Sequence, residues 1–109
     1  MLKKSSKDGY SVILPGIRMK TLVHGDKTLM AEFVLEKGRQ LPRHCHPHEQ
    51  TGYLVKGHIR LAIGSEICAA MPGDSWCIPG EVEHSAEAVE DSVVIEVFSP
   101  VREDYLTKG

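Results

Sequence analysis

The stretch Gly38-Arg-Gln-Leu-Pro-Arg-His44-Cys45-His46-Pro-His48-Glu-Gln50-Thr-Gly52-Tyr53-Leu-Val-Lys-Gly57 decides how this chain is read. Three of the six histidines fall within five of its residues. Side chains on a strand alternate between faces, so a strand here puts His44 and His46 on one face and Cys45 on the other. Two imidazoles on one face can chelate one ion. The other reading is that the histidines fill a polar interior, in which case each needs hydrogen-bond partners.

Working outward, short apolar runs alternate with turn residues. Gly9, Pro15-Gly16, Gly25-Asp26, Gly38, Gly52, Gly57, Gly64-Ser65, Pro72-Gly73 and Pro79-Gly80 punctuate the chain. Between them, strand-like composition marks Met19 to Val23, Leu29 to Leu35, Tyr53 to Val55, Ile59 to Ile63, Glu66 to Ala70, Ser75 to Ile78, His84 to Ala88 and Val93 to Phe98. In Ile59-Arg60-Leu61-Ala62-Ile63 the odd positions are apolar and should face a core. Gly64-Ser65 suits a two-residue hairpin into Glu66. Short strands at such even spacing predict an all-β sandwich or barrel. One helical turn is expected around Arg102 to Leu106. The first eight residues are expected to be mobile, with a single domain over residues 9–109.

Composition narrows the function classes. The 109 residues carry 13 Lys plus Arg against 15 Asp plus Glu, a formal net charge of −2, and 41% are apolar. That apolar share supports a packed core. The charge balance argues against nucleic acid as a partner. No apolar run reaches the roughly 18 residues that span a bilayer. Met1 to Lys7 is polar and lacks the apolar stretch of a signal peptide, so a cytoplasmic location is expected. Cys45, Cys68 and Cys77 make an odd count without a CxxC, which argues against disulfides. Each is expected to be a small buried hydrophobe. His24, His48 and His58 are expected at the surface or in turns.

The opening stretch resembles the first motif of the cupin superfamily, G(X)5HXH(X)3,4E(X)6G. Gly38, His44, His46, Gln50 and Gly57 meet every spacing, with Gln50 where the pattern usually has Glu. Gly73, Pro79 and His84 match the second motif, G(X)5PXG(X)2H(X)3N, with Glu81 in place of the last glycine and Ala88 in place of the Asn. The resemblance implies a small antiparallel jelly-roll β-barrel. It also implies one divalent transition metal ion held by His44, His46, Gln50 and His84, and nickel, manganese, iron, cobalt and zinc all suit imidazole and amide donors.

The ending Asp91-Ser-Val-Val-Ile-Glu96-Val-Phe98-Ser-Pro-Val-Arg102-Glu-Asp-Tyr-Leu106 is similar to that of the pectin-degradation cupins of the KdgF type, and so is His46-Pro-His-Glu-Gln-Thr-Gly-Tyr53. This narrower resemblance implies an enzyme that opens a 4,5-unsaturated uronate, left by pectin or alginate lyases, to its linear ketonised form. Its acid, aromatic and basic residues map to Glu96, Phe98 and Arg102, with Glu96 where the family has Asp. Glu96 would act as general acid or base. Arg102 would pair with the carboxylate of an anionic sugar, Phe98 would wall the ring, and Tyr53 and Trp76 would line the mouth. The family also implies a homodimer. The alternatives are a metal-dependent dioxygenase or isomerase of the same fold, or a non-catalytic metal- or sugar-binding protein.

Overall fold

The computed structural model describes residues 1–106, so the last three residues of the expected domain lie outside the described residues. Its strands are β1 (Ser11–Leu14), β2 (Ile17–His24), β3 (Leu29–Leu35), β4 (Gln40–His44), β5 (Glu49–Lys56), β6 (Ile59–Ile63), β7 (Glu66–Ala70), β8 (Ser75–Ile78), β9 (His84–Ala88) and β10 (Ser92–Ser99). A four-residue helix, α1 (Glu103–Leu106), follows. Among the described residues no helix is long and apolar enough to cross a membrane.

The strands form two antiparallel sheets in the order β1-β2-β3-β10-β5-β8 and β4-β9-β6-β7. This is the expected all-β jelly-roll barrel. Alternation sets what points inward. β3 buries Leu29, Ala31, Phe33 and Leu35; β10 buries Ser92, Val94, Glu96 and Phe98; β6 buries Ile59 and Leu61, as its pattern predicts. Each buried Leu, Ile or Phe contributes about 1.5–3 kcal/mol of transfer free energy. Tyr105 of α1 closes this core edge-on to Phe33 and Phe98, with ring centroids 6.2 and 5.5 Å away.

Four features depart from the sequence reading. β1 and β4 are strands that composition did not mark. Both are sheet edges, and β4 contains Pro42, which an edge strand accommodates because the missing N–H costs no inner ladder bond. Gly52, read as a turn, lies inside β5. β4 ends at His44, so His46 sits in the following loop and the His-x-His pair is not carried on one strand. All three cysteines are exposed rather than buried. Cys45 is in that loop, Cys68 is on edge strand β7, and Cys77 lies between the inward-facing Trp76 and Ile78 on edge strand β8.

Candidate metal centre

His44, the last residue of β4, faces His84, the first residue of β9, as its registered partner across the ladder. Their ring centroids are 4.3 Å apart. His46 comes in from the loop, 5.0 Å from His84 and 5.7 Å from His44. The nitrogens that the three rings offer lie within 4.8 Å of one another. The loop is held by the turn before β9: the Glu81 N–H donates to the His46 carbonyl at 2.8 Å. A side chain at Gly80 would press on the Pro47 carbonyl. Glu81 itself has φ of 69°, a left-handed conformation that explains why the motif places glycine there.

All three imidazoles are oriented by main chain. Nδ1 of His44 lies 2.8 Å from the Pro42 carbonyl, that of His46 lies 3.1 Å from the His48 carbonyl, and that of His84 lies 2.9 Å from the Val82 carbonyl. A neutral ring that donates from Nδ1 leaves Nε2 as a lone pair, and such carbonyl anchoring is the usual outer shell of metal-ligating histidine. Nε2 of His84 is buried with no hydrogen-bond partner. Nε2 of His46 is 3.0 Å from Oε1 of Gln50. His46 therefore has an acceptor at each nitrogen, although a neutral ring carries one proton. Protonating the ring is disfavoured, because burial first and the Arg102 charge second lower its pKa. Burial lowers that of His84 as well. Three imidazoles whose nitrogens converge, with Nε2 of His84 unpartnered, beside an amide oxygen, fit a divalent transition metal. The donors are the exposed His44, with His46, His84 and Gln50.

The opposite wall carries the acid. Glu96 is 6% exposed. Burial raises its pKa to about 7, against the opposing pull of the Gln50 amide and the Trp76 indole. Nε1 of Trp76 donates to Oε1 of Glu96 at 3.2 Å, while Oε2 is buried without a partner. An amide at position 50 can both offer oxygen to the histidines and donate to Glu96. A carboxylate there could not donate and would repel Glu96. Phe98 is 1% exposed and its ring stands 5.9 Å from that of His46.

Arg102 lies over Phe98 and Tyr105, its guanidinium carbon 5.1 and 4.1 Å from the ring centres. Its Nε and Nη2 donate to the two oxygens of Asp104 at 3.2 and 2.8 Å. His44, Gln50, Trp76, His84, Glu96, Phe98 and Arg102 all line one cavity of about 80 Å³. Tyr53 does not. It is 49% exposed, because the alternation of β5 turns Gln50, Gly52 and Leu54 inward and Tyr53 out. Sequence reasoning missed Gly52, Tyr105 and the part played by His48, whose carbonyl orients His46. For Gly52 a signal existed, since a glycine inside a strand marks close approach of another group.

The chain matches the cupin domain family over residues 31–99. It is 30% identical over 93 residues to the pectin degradation protein KdgF of Dickeya dadantii (strain 3937), covering 84% of each chain. The structure of KdgF from Halomonas sp. superposes with a TM-score of 0.86 at 32% identity, over 90% of this chain and 93% of that one. An RmlC-like cupin from Shewanella frigidimarina NCIMB 400 superposes equally well, at 0.86 and 27% identity, over 91% and 89%. Barrel, motif spacing and both KdgF alignments agree, and the chain belongs to the cupin family as a KdgF-like member.

Proposed function

We propose that this protein is a metal-dependent enzyme that opens and ketonises a 4,5-unsaturated uronate derived from pectin or alginate. One observation carries the reading: His44 and His84, a buried carboxyl titrating near neutrality and a guanidinium all line a single small cavity, with His46 packed beside His84. The Dickeya dadantii relative named for pectin degradation supports it. A cavity of about 80 Å³ suits a small molecule rather than a polymer, one water needing about 10–15 Å³.

Arg102 binds the substrate carboxylate with the donors that Asp104 leaves open. Phe98 walls the ring. Glu96 takes the proton of the anomeric hydroxyl as the ring C–O bond breaks. The ring carbon becomes an aldehyde and the released oxygen an enolate. Glu96 then returns the proton to C4, which leaves the ketone, so the conversion is an isomerisation with no atoms gained or lost. A pKa near 7 lets one carboxyl serve in both directions. A divalent ion, when bound by His44, His46, His84 and Gln50, supplies Lewis-acid stabilisation of developing negative charge. Nickel, manganese, iron, cobalt and zinc are all compatible with the donor set.

The enzyme is proposed to act in the cytoplasm as a homodimer. Tyr53 and Val55 on the outer face of β5, with Ile95 of β10 registered beside Tyr53, form an apolar surface that a second copy would cover. Sedimentation should then give about twice the 12.1 kDa chain mass. The activity test uses protein loaded with nickel or manganese and the unsaturated galacturonate made by lyase digestion of polygalacturonate. Faster loss of the enol-ether absorbance than with His84→Ala supports the function, and equal rates overturn it.

A further inference from the structure

Trp76 was expected at the mouth of the site, against substrate. Its contacts give it other work. Glu96 of β10, Gly52 of β5 and Trp76 of β8 occupy one row across three strands: Glu96 is registered with Gly52, and Gly52 with Trp76. Neighbouring strands are about 4.8 Å apart, so two spacings separate Glu96 from Trp76. Their side chains close that gap by leaning towards each other over the middle strand. Any side chain at position 52 would collide with the indole. Glycine there leaves the ring space to lie across β5 and bring Nε1 to 3.2 Å from the carboxylate.

We propose that Trp76, acting beside the Gln50 amide, is a positioning residue for Glu96, with Gly52 as its seat: the indole N–H fixes Oε1 and leaves Oε2 as the working oxygen of the carboxyl. Oε2 is the buried oxygen without a partner. Side-chain length belongs to the same device. Shortening Glu96 to Asp withdraws the carboxyl by about one bond, ~1.5 Å, which takes it beyond hydrogen-bond reach of Nε1. Position 96 thus requires Glu because its anchor stands two strands away. This inference rests on the function proposed above only in making Glu96 the proton carrier; the contact itself is independent of it.

The chain has a single tryptophan, so its indole N–H gives one side-chain resonance in a proton–nitrogen spectrum. In wild type that resonance should be shifted downfield and exchange slowly. Glu96→Ala and Glu96→Asp should both move it upfield and speed its exchange. A resonance unchanged in Glu96→Ala overturns the contact. Kinetics test the positioning. Trp76→Phe keeps a ring and removes the donor, so kcat on unsaturated galacturonate should fall about 10- to 100-fold, the worth of a hydrogen bond to a charged group. KM and bound metal should hardly change. Added to Glu96→Ala, Trp76→Phe should cost nothing further. An equal loss in both backgrounds means that Trp76 only shapes the cavity, and overturns the proposal. Gly52→Ala should reproduce Trp76→Phe, with Trp76→Phe deciding the matter if that variant does not fold. Wild type inert on this substrate would count against the proposed reaction, while the indole resonance would still decide the contact.

Discussion

The two walls of the cavity are built differently. The histidine wall draws on the four-stranded sheet and its loops: His44 and His84 are cross-strand partners, and His46 is held by the nearby His48 carbonyl and by the Glu81 N–H of the turn before β9. The acid wall belongs to the six-stranded sheet, where Gln50, Trp76, Glu96 and Phe98 come from strands far apart in sequence. On one side burial disfavours protonation of His46 and His84; on the other it keeps an acid protonated up to about pH 7. Desolvation disfavours charge of either sign, so one apolar barrel interior prepares both the donors His46 and His84 and the proton carrier.

The widest separation of the two walls should come from metal content. His44→Ala/His46→Ala should take bound divalent metal from about one ion per chain to none and abolish turnover, as read by elemental analysis. Metal retained in that variant would mean that the histidine wall is not the ligand set. Glu96→Gln should do the reverse, keeping the metal while lowering kcat by about 10²–10⁴-fold. Next comes Arg102→Ala, which should raise KM for the uronate about 10- to 100-fold. Arg102→Lys should not restore it, because a lysine cannot be held by Asp104 and still present a planar donor pair.

A smaller effect lies in stability against pH without metal. Folded Glu96 titrates near 7 against a reference of 4.5. Between these values the folded state holds a proton that the unfolded chain has shed, so stability falls as pH rises through that window. His46 and His84 act oppositely, since their lowered pKa values cost stability as pH falls below 6.5. Denaturation midpoints of wild type and Glu96→Gln, with a chelator present, should therefore diverge between about pH 4.5 and about pH 7, wild type losing more on the alkaline side. Parallel curves would remove the ionisation cost assigned to the acid wall. Smallest of all, Glu81→Gly should relieve the left-handed residue before β9 and raise stability by about 1 kcal/mol, measured by urea denaturation with metal content unchanged.

Legibility in the sequence followed the same division. The inward face of β6 was readable because a period of two is a local property. Edge strands β1 and β4 were not, since little of an edge is buried and Pro42 reads against a strand. Cys68 and Cys77 were misjudged because composition cannot tell an inner strand from an edge, and Cys45 because it lies in the loop after β4. Gly52 looked like a turn for want of knowing that β8 would lay an indole on it.

The sequence by itself determined the all-β class, the family, and the spacing that makes His44, His46, Gln50 and His84 a candidate donor set, because motifs and alternation act over a few residues. Only the tertiary structure decided that Glu96 reaches Trp76, that Arg102 is steered by Asp104 over two rings, and that Tyr53 faces away from the site. Those outcomes depend on which strands become neighbours and in what register. Non-local pairing sets that order, and no short stretch of the chain contains it.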